Sequence, residues 1–208
     1  MRSLVRNRDA GDGELARRAA AGDQEAFGVL VERHGGTVRR VALSILRDEH
    51  DADDAAQDGL VAAWRALERF DATRPFRPWL MRIVVNAARD LARRRTVRQT
   101  ELLSPGAPSA ASGPELETER VLLRERLRRA LGTLPERQRL VVTLFDAEGF
   151  SHAEIADLVG APEGTVRSEL FHARRALREE LGVPLDELIG ILIGALRPHE
   201  RLLGLGAA

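Results

Sequence analysis

Apolar residues recur at intervals of three and four along almost the whole chain, and strand-like alternation is absent. The pattern predicts an all-helical fold. A short helix runs from about Asp12 to Ala21 and stops at Gly22. Asp23 caps the next helix, whose inner face is Ala26, Phe27, Leu30 and Val31. It continues, with a candidate break at Gly35-Gly36, through Val38, Val41, Ala42, Ile45 and Leu46. A third helix, about Asp51 to Arg69, buries Ala55, Leu60, Ala63, Trp64 and Leu67. Its acidic start suits the positive end of a helix dipole. A loop, Phe70 to Arg74, leads into a fourth helix, Phe76 to Arg95, with Pro75 or Pro78 tolerated in its first turn.

The fourth helix has two distinct faces. At about 100° per residue, Arg82, Asn86, Arg89 and Arg93 fall within about 60° of one another. Phe76, Leu80, Ile83, Val84, Ala87 and Leu91 cluster opposite, and Trp79 borders the polar stripe. A ladder of guanidinium groups and one amide beside an indole suits a polyanion with exposed bases. Arginine holds phosphates, Asn bonds a base edge and an aromatic ring stacks on a base. The competing account is an amphipathic helix with a solvated basic face.

Residues 99 to 114, QTELLSPGAPSAASGP, change the composition and read as a flexible linker between domains. Beyond it, Glu115 to Leu131 and Pro135 to Ala147 are helical, and Gly149 breaks the pattern. Ser151 with Glu154 forms a capping box for a short helix burying Ile155, Ala156, Leu158 and Val159. Gly160-Ala161-Pro162 is a tight turn, and a new helix starts near Glu163. This is the spacing of a helix-turn-helix, whose second helix enters a major groove. Val166, Leu170, Ala173 and Leu177 form its buried stripe. Thr165, Ser168, Phe171, His172 and Arg175 point outward, and Arg167, Arg174 and Arg178 flank them, placed for phosphates. An ordinary helical hairpin is the competing account. The last helix, Pro184 to Arg197, has a broad apolar side of Leu185, Leu188, Ile189, Leu192, Ile193 and Leu196. It packs on the second domain or on a partner.

Composition sharpens this picture. The 208 residues suit one medium domain or two small ones, and 44% apolar content supports a core. Net charge is zero, but its distribution is uneven: residues 48 to 58 hold six acids and no Arg, whereas 74 to 98 hold eight Arg and one acid, Asp90. Segregated charge implies different partners for adjacent segments. Residues 163 to 180 hold four Arg and four acids, so the last helix of the helix-turn-helix binds a polyanion weakly by itself. Without Cys, disulfides, thiolate catalysis and Cys-ligated zinc are excluded, and a cytoplasmic location fits. The five His are scattered, the acids at 48 to 58 lack a calcium-loop pattern, and no metal or cofactor is expected. No signal peptide is read at the amino terminus, and Leu188 to Leu196, the longest apolar stretch, is about half a membrane span.

One family is resembled by the order and spacing of these features. The matching residues are Asp23 to Phe27 (DQEAF), Asp51 to Gln57 (DADDAAQ), Trp64, Trp79-Leu80, Ile83, Asn86 and Arg93 to Arg95. In the second half they are Leu134-Pro135, Arg137 to Arg139, Glu154 to Ala156, Gly164 to Ser168 (GTVRS) and Ala173-Arg174. Over roughly residues 10 to 181 the chain resembles the bacterial RNA polymerase sigma factors of the extracytoplasmic-function group.

The resemblance implies a four-helix promoter-melting domain at 10–97, a flexible linker at 98–114 and a helix-turn-helix domain at 115–181; the amphipathic extension at 182–208 lies beyond it and is longer than the simplest members have. The resemblance further implies a non-enzymatic subunit that binds core RNA polymerase and promoter DNA, with an anti-sigma factor as a further candidate partner. Asp51, Asp54, Gln57 and Asp58 would dock on the polymerase. Arg74, Phe76, Arg77, Trp79, Arg82, Asn86, Arg89 and Arg93, with the loop from Glu68, would hold the single strand of the minus-ten element. Thr165, Arg167, Ser168, Phe171, His172, Arg174 and Arg175 would read the minus-thirty-five duplex.

There are departures from the family pattern. Glu169 and His172 stand where basic residues are usual, and Gly59 where an aromatic is common, at about 1 kcal/mol of helix propensity relative to Ala. Two alternatives stay open: a sigma-like adaptor that binds an anti-sigma protein without DNA, and a polymerase-independent helix-turn-helix regulator.

Overall fold

The computed structural model describes residues 10–102 and 119–196, and its chain separates into two packed units, Met1–Ala92 and Arg93–Ala208. The described residues are helical, without strands. Of the expected linker at 98–114, residues 103–114 lie outside them, as do residues 1–9, 115–118 and the tail beyond Leu196, whereas residues 98–102 are helical.

In the first unit, α1 (Asp12–Ala20) ends at Ala21, and Gly22 takes the left-handed conformation at φ +94°. Asp23 caps α2 (Gln24–Leu46), its Oδ1 accepting from the Ala26 N–H at 3.0 Å. The expected break at Gly35-Gly36 does not occur. His34, Thr37 and Val38 are buried around the glycines, and this tertiary packing outweighs about 1 kcal/mol of helix propensity per glycine. Arg40 also lies over Gly36, where a Cβ would stand 3.0 Å from its Nη1.

Only Arg47 and Asp48 join α2 to α3 (Glu49–Ala66). Arg47 turns the chain at φ +61°, and Asp48 caps α3 through the Asp51 N–H at 2.9 Å. That cap starts the helix earlier than Asp51, its expected beginning. Arg39 Nε donates to Asp53 at 2.6 Å across the hairpin. A 3₁₀ turn, Leu67–Arg69, closes α3, and α4 runs Phe76–Leu102, past its expected end at Arg95.

The buried faces of α3 and α4 are rotated from the expected ones. In α3 the core side is Ala52, Ala55, Ala56, Gly59 and Ala63, whereas Leu60 and Trp64 are only half-buried. Small residues let α4 come close: a Cβ on Gly59 would lie 3.1 Å from a Val84 methyl and 3.3 Å from its Cα. In α4 the core side is Phe76, Leu80, Met81, Val84, Val85 and Ala88; Ile83, Ala87 and Leu91 sit at the margin. Fully burying a side chain such as Leu30, Leu80 or Met81 contributes about 1.5–3 kcal/mol.

The second unit comprises α5 (Glu119–Thr133), α6 (Glu136–Val142), a π-helical turn (Thr143–Ala147), α7 (His152–Val159), α8 (Glu163–Leu181) and α9 (Leu185–Leu196). Arg139 is 6% exposed and donates to the Leu134 carbonyl at 2.7 Å, satisfying the end of α5. Gly182 ends α8 in the left-handed region. α9 folds back on α5, the π-helical turn and α8. Its buried residues are Leu188, Ile191 and Leu192, while Leu185 and Ile193, expected inside, are exposed. α9 is therefore part of the second unit's core. Among the described residues no helix is long and apolar enough to cross a membrane.

Candidate nucleic-acid and polymerase interfaces

The loop before α4 is built by an Asp-centred turn. Asp71 Oδ1 accepts from the Thr73 hydroxyl at 2.6 Å and the Thr73 N–H at 3.0 Å, and the Arg74 N–H bonds the Asp71 carbonyl at 2.9 Å. The Thr73 hydroxyl, then its N–H, holds the Asp71 carboxyl below the usual range. Three rings close round the base of this loop. Phe70 lies 4.8 Å from Trp79 and 5.5 Å from Phe76, and Phe76 lies 5.4 Å from Trp79.

The expected strand-binding residues divide by exposure. Arg74, Arg82, Asn86 and Arg93 are exposed, and Arg77, Trp79 and Arg89 are half-buried. Phe76 is a correction: at 3% exposure it is closed to any base and instead supports the other two rings. Phe70 falls in the loop from Glu68 that the resemblance assigned to the strand, though no residue of that loop before Arg74 was singled out; it lies outside the helical repeat, and its place beside the Asp71 turn was the available signal.

On α3, Asp54, Gln57 and Asp58 are exposed and Asp51 is half-buried. Glu49 and Asp53 are engaged by Arg39. Beside the acids lies a groove of about 550 Å³ between α2 and α3, lined by Phe27, Leu60, Val61, Trp64, Arg39 and Gln57 among others. Phe27 meets Trp64 edge to face at 4.9 Å, and Val61 is 42% exposed. With small residues turned inward, the bulky apolar residues of α3 face out beside its carboxylates. The run of Ala and Gly at helical spacing was the signal for this inversion.

In the second unit the capping box is complete: Glu154 N–H donates to Ser151 Oγ at 3.2 Å, and Ser151 N–H to Glu154 Oε2 at 2.8 Å. Gly160 at φ +66° turns the chain into α8. Val166, Leu170, Ala173, Leu177 and Leu181 are buried, so Arg167, Ser168, Phe171, His172, Arg175 and Arg178 are presented outward and Thr165 is half-buried. Phe171 is 63% exposed.

Arg174 is a second correction. It forms a two-bond pair with the buried carboxylate of Asp146, Nε to Oδ2 at 2.9 Å, and its guanidinium lies 5.2 Å from the Phe145 ring centre. It joins α8 to the π-helical turn and is not presented to DNA. Arg167 and Arg175 meet Glu163 and Glu179 in exposed pairs, which water screens and which are open to exchange for a phosphate. Among the described residues no three His, Asp or Glu come together as a metal site.

Comparison with known proteins agrees with these two units. Residues 30–98 match the Sigma-70 region 2 family and residues 124–177 match Sigma-70, region 4. The chain is 40% identical over 171 residues to the RNA polymerase sigma factor NccH of Alcaligenes xylosoxydans xylosoxydans, covering 80% of this chain and 92% of that one. It is 38% identical over 171 residues to the ECF RNA polymerase sigma factor SigM of Mycobacterium tuberculosis, covering 82% and 85%. Among solved structures, CnrH in complex with the cytosolic domain of CnrY is similar at a TM-score of 0.62 and 37% identity, covering 82% of this chain and 97% of that one. The sigma factor RpoE of Bartonella quintana in complex with the anti-sigma factor NepR is similar at 0.67 and 27%, covering 76% and 97%. With its two matched regions and with relatives aligned over most of their lengths, the chain belongs to the extracytoplasmic-function group of RNA polymerase sigma factors.

Proposed function

We propose that three surfaces divide the work of this sigma factor. The acids of α3, exposed Asp54 and Asp58 with half-buried Asp51, steer docking onto a basic surface of core polymerase, and the exposed Gln57 amide lies among them. The groove of Leu60, Val61 and Trp64 adds apolar area to that contact. The loop 70–75 and α4 then hold the melted strand of the minus-ten element. Asn86 reads a base edge, Arg82, Arg89 and Arg93 hold phosphates, and Trp79 with Phe70 forms the aromatic wall against which an unstacked base rests. The observation that carries this reading is the ring cluster standing at the head of a helix whose exposed face bears Arg82, Asn86 and Arg93.

α8 reads the minus-thirty-five duplex through Arg167, Ser168, Phe171, His172 and Arg175, with Thr165 at its start. Its balanced charge makes it weak alone. Tethering to polymerase supplies the effective concentration that it lacks. The working division is 10–97 for core and minus-ten binding, 98–114 as linker, 115–181 for the duplex, and 182–208 as extension. The chain carries no chemistry of its own and acts in the cytoplasm. The complex in which the Bartonella sigma factor was solved, with the anti-sigma factor NepR, supports an anti-sigma protein as its regulator.

Run-off transcription with core polymerase, on promoters selected from a random library by the reconstituted holoenzyme, tests this reading. Specific transcripts are expected. Tight anti-sigma binding without transcription at any promoter would replace it with the adaptor, and operator binding by the free chain without affinity for core would replace it with a polymerase-independent regulator.

A further inference from the structure

Helix α1 lies outside both matched regions, yet it touches the promoter-reading loop by two routes. The first is backbone contact. A Cβ on Gly13 would stand 3.2 Å from the Ala72 carbonyl oxygen, so the loop rests against α1 at a place where only hydrogen fits without displacement. The second is a chain of side chains. Asp12 accepts from Arg33 Nη1 at 2.8 Å and from His34 Nε2 at 2.7 Å. His34 is 8% exposed and its ring lies 5.6 Å from that of Phe76, which underlies Phe70 and Trp79. α1 also packs along the 3₁₀ turn Leu67–Arg69, with Leu15, Ala16 and Ala19 buried.

We propose that α1 is a positioning element for the minus-ten reader: Gly13 sets where the Ala72 backbone stands, and Asp12 with His34 sets the Phe76 ring beneath Phe70 and Trp79. These three residues touch no base. They act through the loop and the ring cluster, and the inference rests on the promoter-reading role proposed above. The loop's own Asp71 turn fixes its curvature but not its placement, because its hydrogen bonds are all internal to residues 71–74. Placement comes from what the loop leans on. A shift of a few tenths of an ångström at Ala72, the displacement that a methyl at Gly13 demands, moves the neighbouring wall of the base pocket.

Gly13→Ala and Gly13→Val test the idea. Ala is a better helix former than Gly, so the first variant does not weaken α1 while it presses on the loop. Each is examined as the free chain in a Trp64→Phe background, where Trp79 is the only indole, and as holoenzyme. In the free chain, altered Trp79 emission with an unchanged Tm is expected. In the holoenzyme, affinity for a fluorescent single-stranded minus-ten oligonucleotide is expected to fall about threefold with Ala and about tenfold with Val, with altered base preference and unchanged core affinity. His34→Phe keeps a ring against Phe76 and is expected to retain more oligonucleotide affinity than His34→Ala.

Unchanged oligonucleotide affinity and base preference in Gly13→Val would overturn the proposal. So would a parallel fall of Tm, core affinity and oligonucleotide affinity, which marks α1 as plain scaffold. If wild-type holoenzyme does not bind the oligonucleotide, the promoter-reading assignment fails, and unchanged Trp79 emission in the free chain then decides against the positioning role on its own.

Discussion

α4 and α8 are both arginine-bearing helices with one buried face, but their arginines stand in different company. Residues 74 to 98 carry eight Arg against one acid, whereas residues 163 to 180 carry four of each. On α8, Arg167 meets Glu163, Arg175 meets Glu179, and Arg174 is drawn inward to Asp146. On α4, Arg82, Asn86 and Arg93 are exposed beside a cluster of three rings. On the roles proposed above, the difference separates two physical tasks. A melted strand offers flexible phosphates and bare base faces, which cations and rings bind strongly with little need for register. A duplex offers base edges in a groove, so a rigid helix with modest charge reads it by position, and polymerase supplies the binding strength.

The sharpest break in this comparison is within α8 itself. Arg174→Ala strands the Asp146 carboxylate, whose side chain is 2% exposed, and is expected to destabilise the second unit by about 3 kcal/mol in urea unfolding. Arg175→Ala, one residue on, is expected to leave the unfolding midpoint almost unchanged while weakening minus-thirty-five binding. Equal stability losses would mean that both arginines are structural.

Next in size is Asn86→Ala. Loss of one base-edge contact is expected to slow promoter opening about tenfold, read by permanganate reactivity, with core affinity unchanged. Equal loss of both would remove Asn86 from the reading face.

A gain of function sharpens the contrast from the other side. Glu163→Gln with Glu179→Gln releases Arg167 and Arg175 from their exposed pairs. Duplex affinity of the holoenzyme is expected to rise severalfold, and the slope of log affinity against log salt to steepen by about 1–2. An unchanged slope would show that those arginines do not meet phosphate.

The smallest effect concerns pH. Hydrogen bonding by His34, with Arg33 adding to it, lowers the Asp12 carboxyl below its ordinary value. A depressed carboxylate stabilises the fold fully above its unfolded value and loses that contribution as pH falls through the folded one. The Tm advantage of the wild-type chain over Asp12→Asn should therefore hold at neutral pH and shrink below about pH 4. An advantage that grows on acidification would place the stabilising charge elsewhere.

Local chemistry was legible without the fold. Asp23, Ser151 with Glu154, Gly22 and Gly160 act within four residues of themselves, so caps and turns followed from spacing. The buried stripe of α8 followed as well, because its apolar residues repeat without ambiguity.

Which side of a helix turns inward was another matter wherever apolar residues lie on more than one side of it. Leu60 and Trp64 were expected in the core by size. They lie outward because Gly59 and the alanines of α3 admit Val84 at close range, and a helix-to-helix distance is no property of either helix alone. The Gly35-Gly36 break was expected from propensity and overruled by burial on both sides. Arg174 was read with its neighbours as a phosphate contact, yet its partner is 28 residues away on another element. The sequence by itself thus determined the helices, the caps at Asp23 and Ser151 and the identity of the two modules, because those depend on contacts within a few residues and on characteristic order. Tertiary structure decided which side chains remain for partners and what the reading loop leans on, because burial and pairing are settled between elements distant along the chain.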